Sequence, residues 1–222
     1  MLPTIRSRCQ LVRFEPAPVD AVAAEITGGG VRPEIALACA RLALGDAGRA
    51  RELAGEHGRA LRLAGEGFAR GPLRPEEDAL APWEGLLAAA RVRGEAVSDE
   101  LEQAAAADVE LYPRRERKRV ESVWADRIRR SRRRAETAAL DLGLQTVSLW
   151  YADLAALAYG AGELIRHVDR MDALVADEGV PPARLVAAIE LVEDTRVRFA
   201  LNVSEDLACE ALAYRLRDVL AR

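Results

Sequence analysis

The spacing of apolar and polar residues predicts one helix after another and almost no sheet. Val19, Val22, Ala23 and Ile26 recur at the three- and four-residue intervals of a single helix face, and Thr27-Gly28-Gly29-Gly30 stops that helix. Pro33 suits a first helical turn. Ile35, Ala38, Cys39 and Leu42 form the next stripe, which Gly45 ends. Asp46 is placed to cap a third helix that continues until Arg70-Gly71-Pro72 closes it near residue 71.

Farther along, a helix from Glu76 to Arg93 is expected to end at Gly94, with Ser98 or Asp99 capping another. Pro113 then starts a long basic helix. Val120, Trp124, Ile128, Ala135, Ala139 and Leu142 keep a helical spacing along it and mark a core-facing stripe. Further helices are predicted over 150–159, 161–178 and 181–201. Asn202 with Glu205 has capping-box spacing ahead of a last helix whose Leu212, Leu216 and Val219 share one face.

The beginning of the chain breaks this rule. Leu11, Val12 and Phe14 form a short β-prone run bounded by Pro16 and Pro18. A lone strand leaves its backbone donors and acceptors unpaired, so its partners are expected before Met1. The predicted architecture is therefore all-α with one short N-terminal strand, in three zones: residues 1–15 with the strand, residues 16–71 as a three-helix module, and residues 72–222 as a longer helical domain.

Composition agrees. Aromatics make up 5% of the chain while Ala, Leu, Arg and Glu dominate, which favours helix. With 50% hydrophobic residues in 222, the chain is long enough to bury a core. The net charge of −4 gives no overall preference for polyanions, so local charge has to be read instead. No apolar run approaches the roughly 20 residues of a membrane span, and Thr4, Arg6, Ser7 and Arg8 stand where a signal peptide would be apolar, so a cytoplasmic location is expected.

Little catalytic chemistry is visible. Cys9, Cys39 and Cys209 lack metal-ligand or disulfide-framework spacing and read as small buried hydrophobes; His57 and His167 have no ligand partner nearby, so no metal is expected. There is no P-loop, no glycine-rich dinucleotide turn and no nucleophile–base constellation, so neither ATP binding nor catalysis by this chain alone is expected.

Two features carry possible function. One is the basic run with Arg114, Arg115, Arg117, Lys118, Arg119, Arg127, Arg129, Arg130, Arg132, Arg133 and Arg134, against Glu116, Glu121, Asp126 and Glu136. It reads either as a nucleic-acid contact or as the solvated or subunit-facing side of a helix. Trp124, Trp150 and Tyr151 read as core or interface anchors. The other is the Arg6/Arg8 pair in the opening strip. Such arginines are either solvated or an arginine finger, a fixed guanidinium fork that stabilises a phosphoryl group on a neighbouring chain.

The strip "LPTIRSRCQLVRFEP", with Ser7-Arg8-Cys9, resembles the segment that closes the AAA+ module of bacterial clamp-loader subunits. "PEIALACARLALGDAGRARELA" is similar to their lid helices. "WADRIRRSRRRAETAALDLGLQTVSLWYADL" and "ALNVSEDLACEALAYRLR" resemble the collar domain of the delta-prime class in the DNA polymerase III clamp loader. The resemblance implies that residues 1–15 end an otherwise absent α/β module, that 16–71 are an AAA+ lid and that 72–222 are an oligomerising collar. It makes Arg8 the finger, supported by Thr4, Ser7 and Cys9, acting on ATP-Mg held by a neighbour, with no cofactor on this chain. It implies the ATPase (gamma/tau) and delta subunits as partners, primed DNA through the whole complex, and a replisome-associated location. The lid stretch Gly45-Asp46-Ala47-Gly48-Arg49-Ala50 departs from the ATPase-type pattern, so Arg49 is expected on a helix surface. Two other identities fit the residues: a shortened ATPase subunit of the same loader, and a freestanding helical DNA-binding protein using residues 114–134.

Overall fold

The computed structural model describes residues 15–74, 81–201 and 203–221. It is 84% helix without a strand among the described residues, so the all-α expectation holds. The predicted strand at Leu11–Phe14 lies outside the described residues. Nine α-helices are described: α1 Val19–Gly28, α2 Pro33–Leu42, α3 Ala47–Ala54, α4 Glu56–Arg70, α5 Pro82–Glu110, α6 Arg114–Ala158, α7 Met171–Ala176, α8 Pro182–Arg198 and α9 Glu205–Leu220.

The first two helices form as their sequence dictates. Val22 and Ile26 bury one face of α1, Pro33 opens α2, and Ala36, Cys39 and Leu42 are buried on it. The third predicted helix is two. Asp46 caps α3, its carboxylate accepting from the Arg49 N–H at 3.0 Å, but Gly55 leaves the helix in an extended conformation and α4 starts afresh. Gly58 explains the break: a Cβ there would overlap the Glu52 carbonyl and the Leu53 backbone, so the chain folds back closely on its preceding turn.

The long helices also correct the sequence reading. Gly94 does not end a helix and Ser98 does not cap one; α5 runs through both. Gly94 lies against Glu136 of α6, where a side chain would overlap the carboxylate arm, and the Ser98 hydroxyl donates to Glu102 at 3.1 Å. Likewise α6 does not stop before Trp150 but continues for 45 residues, roughly 67 Å at the usual rise. Gly143 lets α6 approach the Leu61 and Leu86 side chains of α4 and α5. From Ala139 onward α6 is buried almost all round, which places it at the centre of the core.

The helix expected over 161–178 is mostly short 3-10 turns, Gly162–Leu164 and Val168–Arg170, followed by α7. Asp153 on α6 supplies the reason. Its Oδ2 accepts the backbone N–H groups of Arg166 at 3.0 Å and His167 at 2.8 Å, so a side chain takes donors that a helix would have used internally. Ser204, with the Leu207 N–H at 3.5 Å, caps α9; the predicted cap Asn202 lies outside the described residues. Leu212, Leu216 and Leu220 bury the face of α9, with Val219 only half-buried.

The buried core is continuous from α1 to α9, so the predicted 16–71 and 72–222 units share it. A polar node stitches the two. Arg49 donates to the Gln145 side chain at 2.6 Å and lies 3.6 Å from Asp141, Gln145 donates to the Leu42 carbonyl at 2.8 Å, and Arg196 of α8 donates to Asp141 at 2.9 Å. Arg49 is thus a bridge from α3 to α6 rather than a simple surface arginine.

Candidate interaction surfaces and the buried charge network

Past Ser98 on α5 and before Ala139 on α6 no side chain is buried. The two helices are joined by the turn at Leu111–Pro113 and continue beyond the core as a two-helix arm. Val120, Trp124 and Ile128 are half-buried along its inner side. The Trp124 indole donates to Asp108 of α5 at 2.8 Å, and Arg127 lies over its ring at 4.7 Å. Trp124 therefore holds the arm's helices together.

The arm's two helices carry opposite charge. Between Arg114 and Arg134 stand eleven basic residues against three acidic, whereas residues 95–110 of α5 hold six acidic and no basic residues. Only one of these ion pairs is formed across the arm among the described residues, Arg132 with Glu95 at 3.6 Å. Arg114, Arg115, Lys118, Arg119, Arg127, Arg130 and Arg134 are exposed.

Two arginines of the predicted contact set are committed elsewhere. Arg117 donates to the Tyr112 and Glu110 carbonyls at 2.9 and 3.1 Å and closes the turn that ends α5. Arg133 donates to Glu205 at 2.8 Å, and Thr137 donates to the other oxygen of that carboxylate at 2.8 Å, so Arg133 ties α6 to the start of α9.

Of the two readings for Trp150 and Tyr151, core or interface anchor, the core one holds and the interface one does not, because both are wholly buried. Trp150 meets His167 edge-on with ring centres 5.1 Å apart. The Tyr151 hydroxyl donates to the Ala69 carbonyl at 2.9 Å, and burial pushes its ionisation up. Arg8, Thr4, Ser7 and Cys9 lie outside the described residues.

A network that sequence reasoning missed lies where α4 meets the chain between α6 and α8. Asp177 is fully buried and takes Arg70 at 2.9 Å and Arg74 at 2.7 Å. Glu66 takes Arg70 at 3.1 Å and Arg170 at 2.6 Å, and this pairing holds the Arg170 guanidinium above its usual range. Asp153 accepts from His167 Nδ1 at 2.8 Å, and Arg62 bridges Asp169 and the Cys39 sulfur. Glu66 and Arg170 line two adjoining clefts, of about 640 Å³ toward His167 and Asp169 and about 590 Å³ toward Arg70 and Arg74. An acid within the apolar run "LWYADLAAL" was the one available signal.

This network is built for cohesion. Each of its carboxylates is paired with a basic side chain from another element, although Asp153 Oδ1 and Asp169 Oδ1 accept no hydrogen bond, and burial raises the Cys39 thiol, which leaves it a poor nucleophile. Cys209 is pushed up to about 12 by burial and by the nearby Glu205 and Asp206. Among the described residues no group of three or more His, Cys, Asp or Glu is arranged to hold a metal ion, and no helix is long and apolar enough to cross a membrane. Neither a protein-family profile, nor a curated protein, nor a solved structure matches the chain.

Proposed function

We propose that this chain is a structural subunit of a multi-chain assembly, of the delta-prime type in a bacterial clamp loader. In that role residues 72–222 pack against neighbouring collars and Arg8 serves an ATP site on the ATPase subunit. The sequence basis is the order of strip, lid-like and collar-like stretches. The observation that carries it on the structural side is the surface of the last two long helices. Val186 of α8, Val197 at its end, Leu201 just beyond, and Leu207 and Tyr214 of α9 are each at least half exposed, although α8 and α9 pack together. Scattered apolar residues are ordinary on a monomer, but four large ones on one helix pair and a fifth in the turn after α8 supply the anchors that a neighbouring subunit covers. The buried charge network, whose acids are paired across elements, gives this role a rigid body rather than a reacting centre.

Light scattering on a sizing column tests the proposal, with the chain alone and then mixed with the ATPase subunit of the same loader. One defined complex that persists at moderate salt is expected, and Val197→Asp with Leu207→Arg should abolish it while leaving the melting temperature of the chain nearly unchanged. Two separate peaks at every ratio overturn the reading. In the assembled loader, Arg8→Ala should leave the complex intact and slow ATP turnover by on the order of 10³-fold or more, as for other arginine fingers supplied across a boundary.

A further inference from the structure

The oligomer reading leaves the basic side of the arm without a use. We propose that the outward side of the first half of α6 binds double-stranded DNA through its phosphate backbone, without sequence preference. This inference does not rest on the collar reading, since the surface belongs to this chain alone.

The first observation is availability. Arg114, Lys118, Arg119, Arg130 and Arg134 are exposed and form no ion pair among the described residues, despite six acidic residues on the adjacent helix. Because the pairing side of α6 is filled by Val120, Trp124 and Ile128, helical spacing places Lys118, Arg119 and Arg130 on the opposite side, with Arg114 and Arg134 at its two flanks. They are already arrayed, so binding orders little new structure.

The second is dimension. From Arg114 to Arg134 a straight helix covers roughly 30 Å, close to the ~34 Å turn of a duplex. Duplex DNA presents a negative charge about every 1.7 Å along its axis, so such a helix meets several phosphates at once. All of these positions but Lys118 are arginine, whose planar fork bonds phosphate oxygens in pairs.

Other occupants fit less well. Single strands are gripped by free aromatic platforms, but Trp124 is half-buried, bonded to Asp108 and covered by Arg127. A protein partner, including the acidic side of a second copy, needs apolar anchors amid the charge, and on this stretch of α6 Val123 is the single large apolar side chain that is mostly exposed among the described residues.

Fluorescence anisotropy of the full chain with a labelled duplex of about 20 base pairs, titrated between about 50 and 200 mM salt, tests this; affinity near the micromolar range at the low end and a log–log salt slope of about −4 are expected. Replacing Lys118, Arg119, Arg130 and Arg134 by Gln should weaken binding at least tenfold and flatten the slope, with an unchanged circular-dichroism spectrum. Replacing Arg51, Arg59, Arg198 and Arg215 by Gln removes the same charge elsewhere and should alter affinity by less than about twofold. The proposal is overturned if the duplex does not bind at the lowest salt, if both quadruple variants lose affinity equally, or if a single strand binds more tightly. Salt-sensitive self-association that the arm variant removes, without duplex binding, overturns it in favour of a second copy.

Discussion

At the scale of single residues the structure is held by acids buried among arginines. Asp177 is the extreme case, a fully buried side chain shared by Arg70 and Arg74. Asp177→Ala should lower the unfolding free energy by about 3–5 kcal/mol in a urea titration, because Arg70 and Arg74 both lose their contact with one fully buried carboxylate. Cys209 predicts a pH effect of defined sign. Its thiol is raised from 9.0 to about 12 in the folded chain, so its stability contribution is complete below pH 9 and is lost as pH rises toward 12. Thermal melts across that window should fall more steeply for the parent chain than for Cys209→Ala. Burial of Cys39 and Cys209 was legible from their lack of any metal-ligand or disulfide spacing within helical stretches. The acids were not legible, because Asp177 and Glu66 look like ordinary surface charges until the fold brings distant arginines to them.

At the scale of elements the apolar stripes located the helices well and their ends poorly, and glycine was the cause. Gly55 breaks a helix as expected of glycine, whereas Gly94 and Gly143 sit inside helices and make room for a neighbour. In sequence a glycine that stops a helix and one that admits a packed side chain look alike; only the partner across the interface distinguishes them. The distinction is measurable. Gly58→Ala drives a methyl group into fixed backbone and should destabilise by about 3 kcal/mol or more in denaturant unfolding. Gly94→Ala instead meets the Glu136 side chain, from its Cγ outward, which can shift where backbone cannot, while the helix gains up to about 1 kcal/mol from the alanine, so its cost should be clearly smaller than that of Gly58→Ala. The helix predicted over 161–178 was missed for a different reason, since Asp153 captures its backbone donors from outside the segment.

For the whole molecule, the all-α class followed from composition and periodicity, and the basic stretch was visible as charge. Its place on an arm was not, because the apolar stripe from Val120 to Leu142 reads the same whether it faces one helix or a full core. Hydrogen exchange should separate the two. Amides over 99–131 should open locally and exchange on the order of a hundredfold faster than those over 140–156, which open only with the core. The part of α6 that fills the core and the part that bears the arginines are one unbroken helix, and this gives the arm mechanical leverage. From the packing point at Gly143 to Arg114 the helix spans roughly 44 Å, so a tilt of about 5° at the pivot sweeps the tip through about 4 Å. Small rearrangements of core side chains are therefore magnified at the far end, and a fluorophore placed near Leu111 would report on the packing around Gly143.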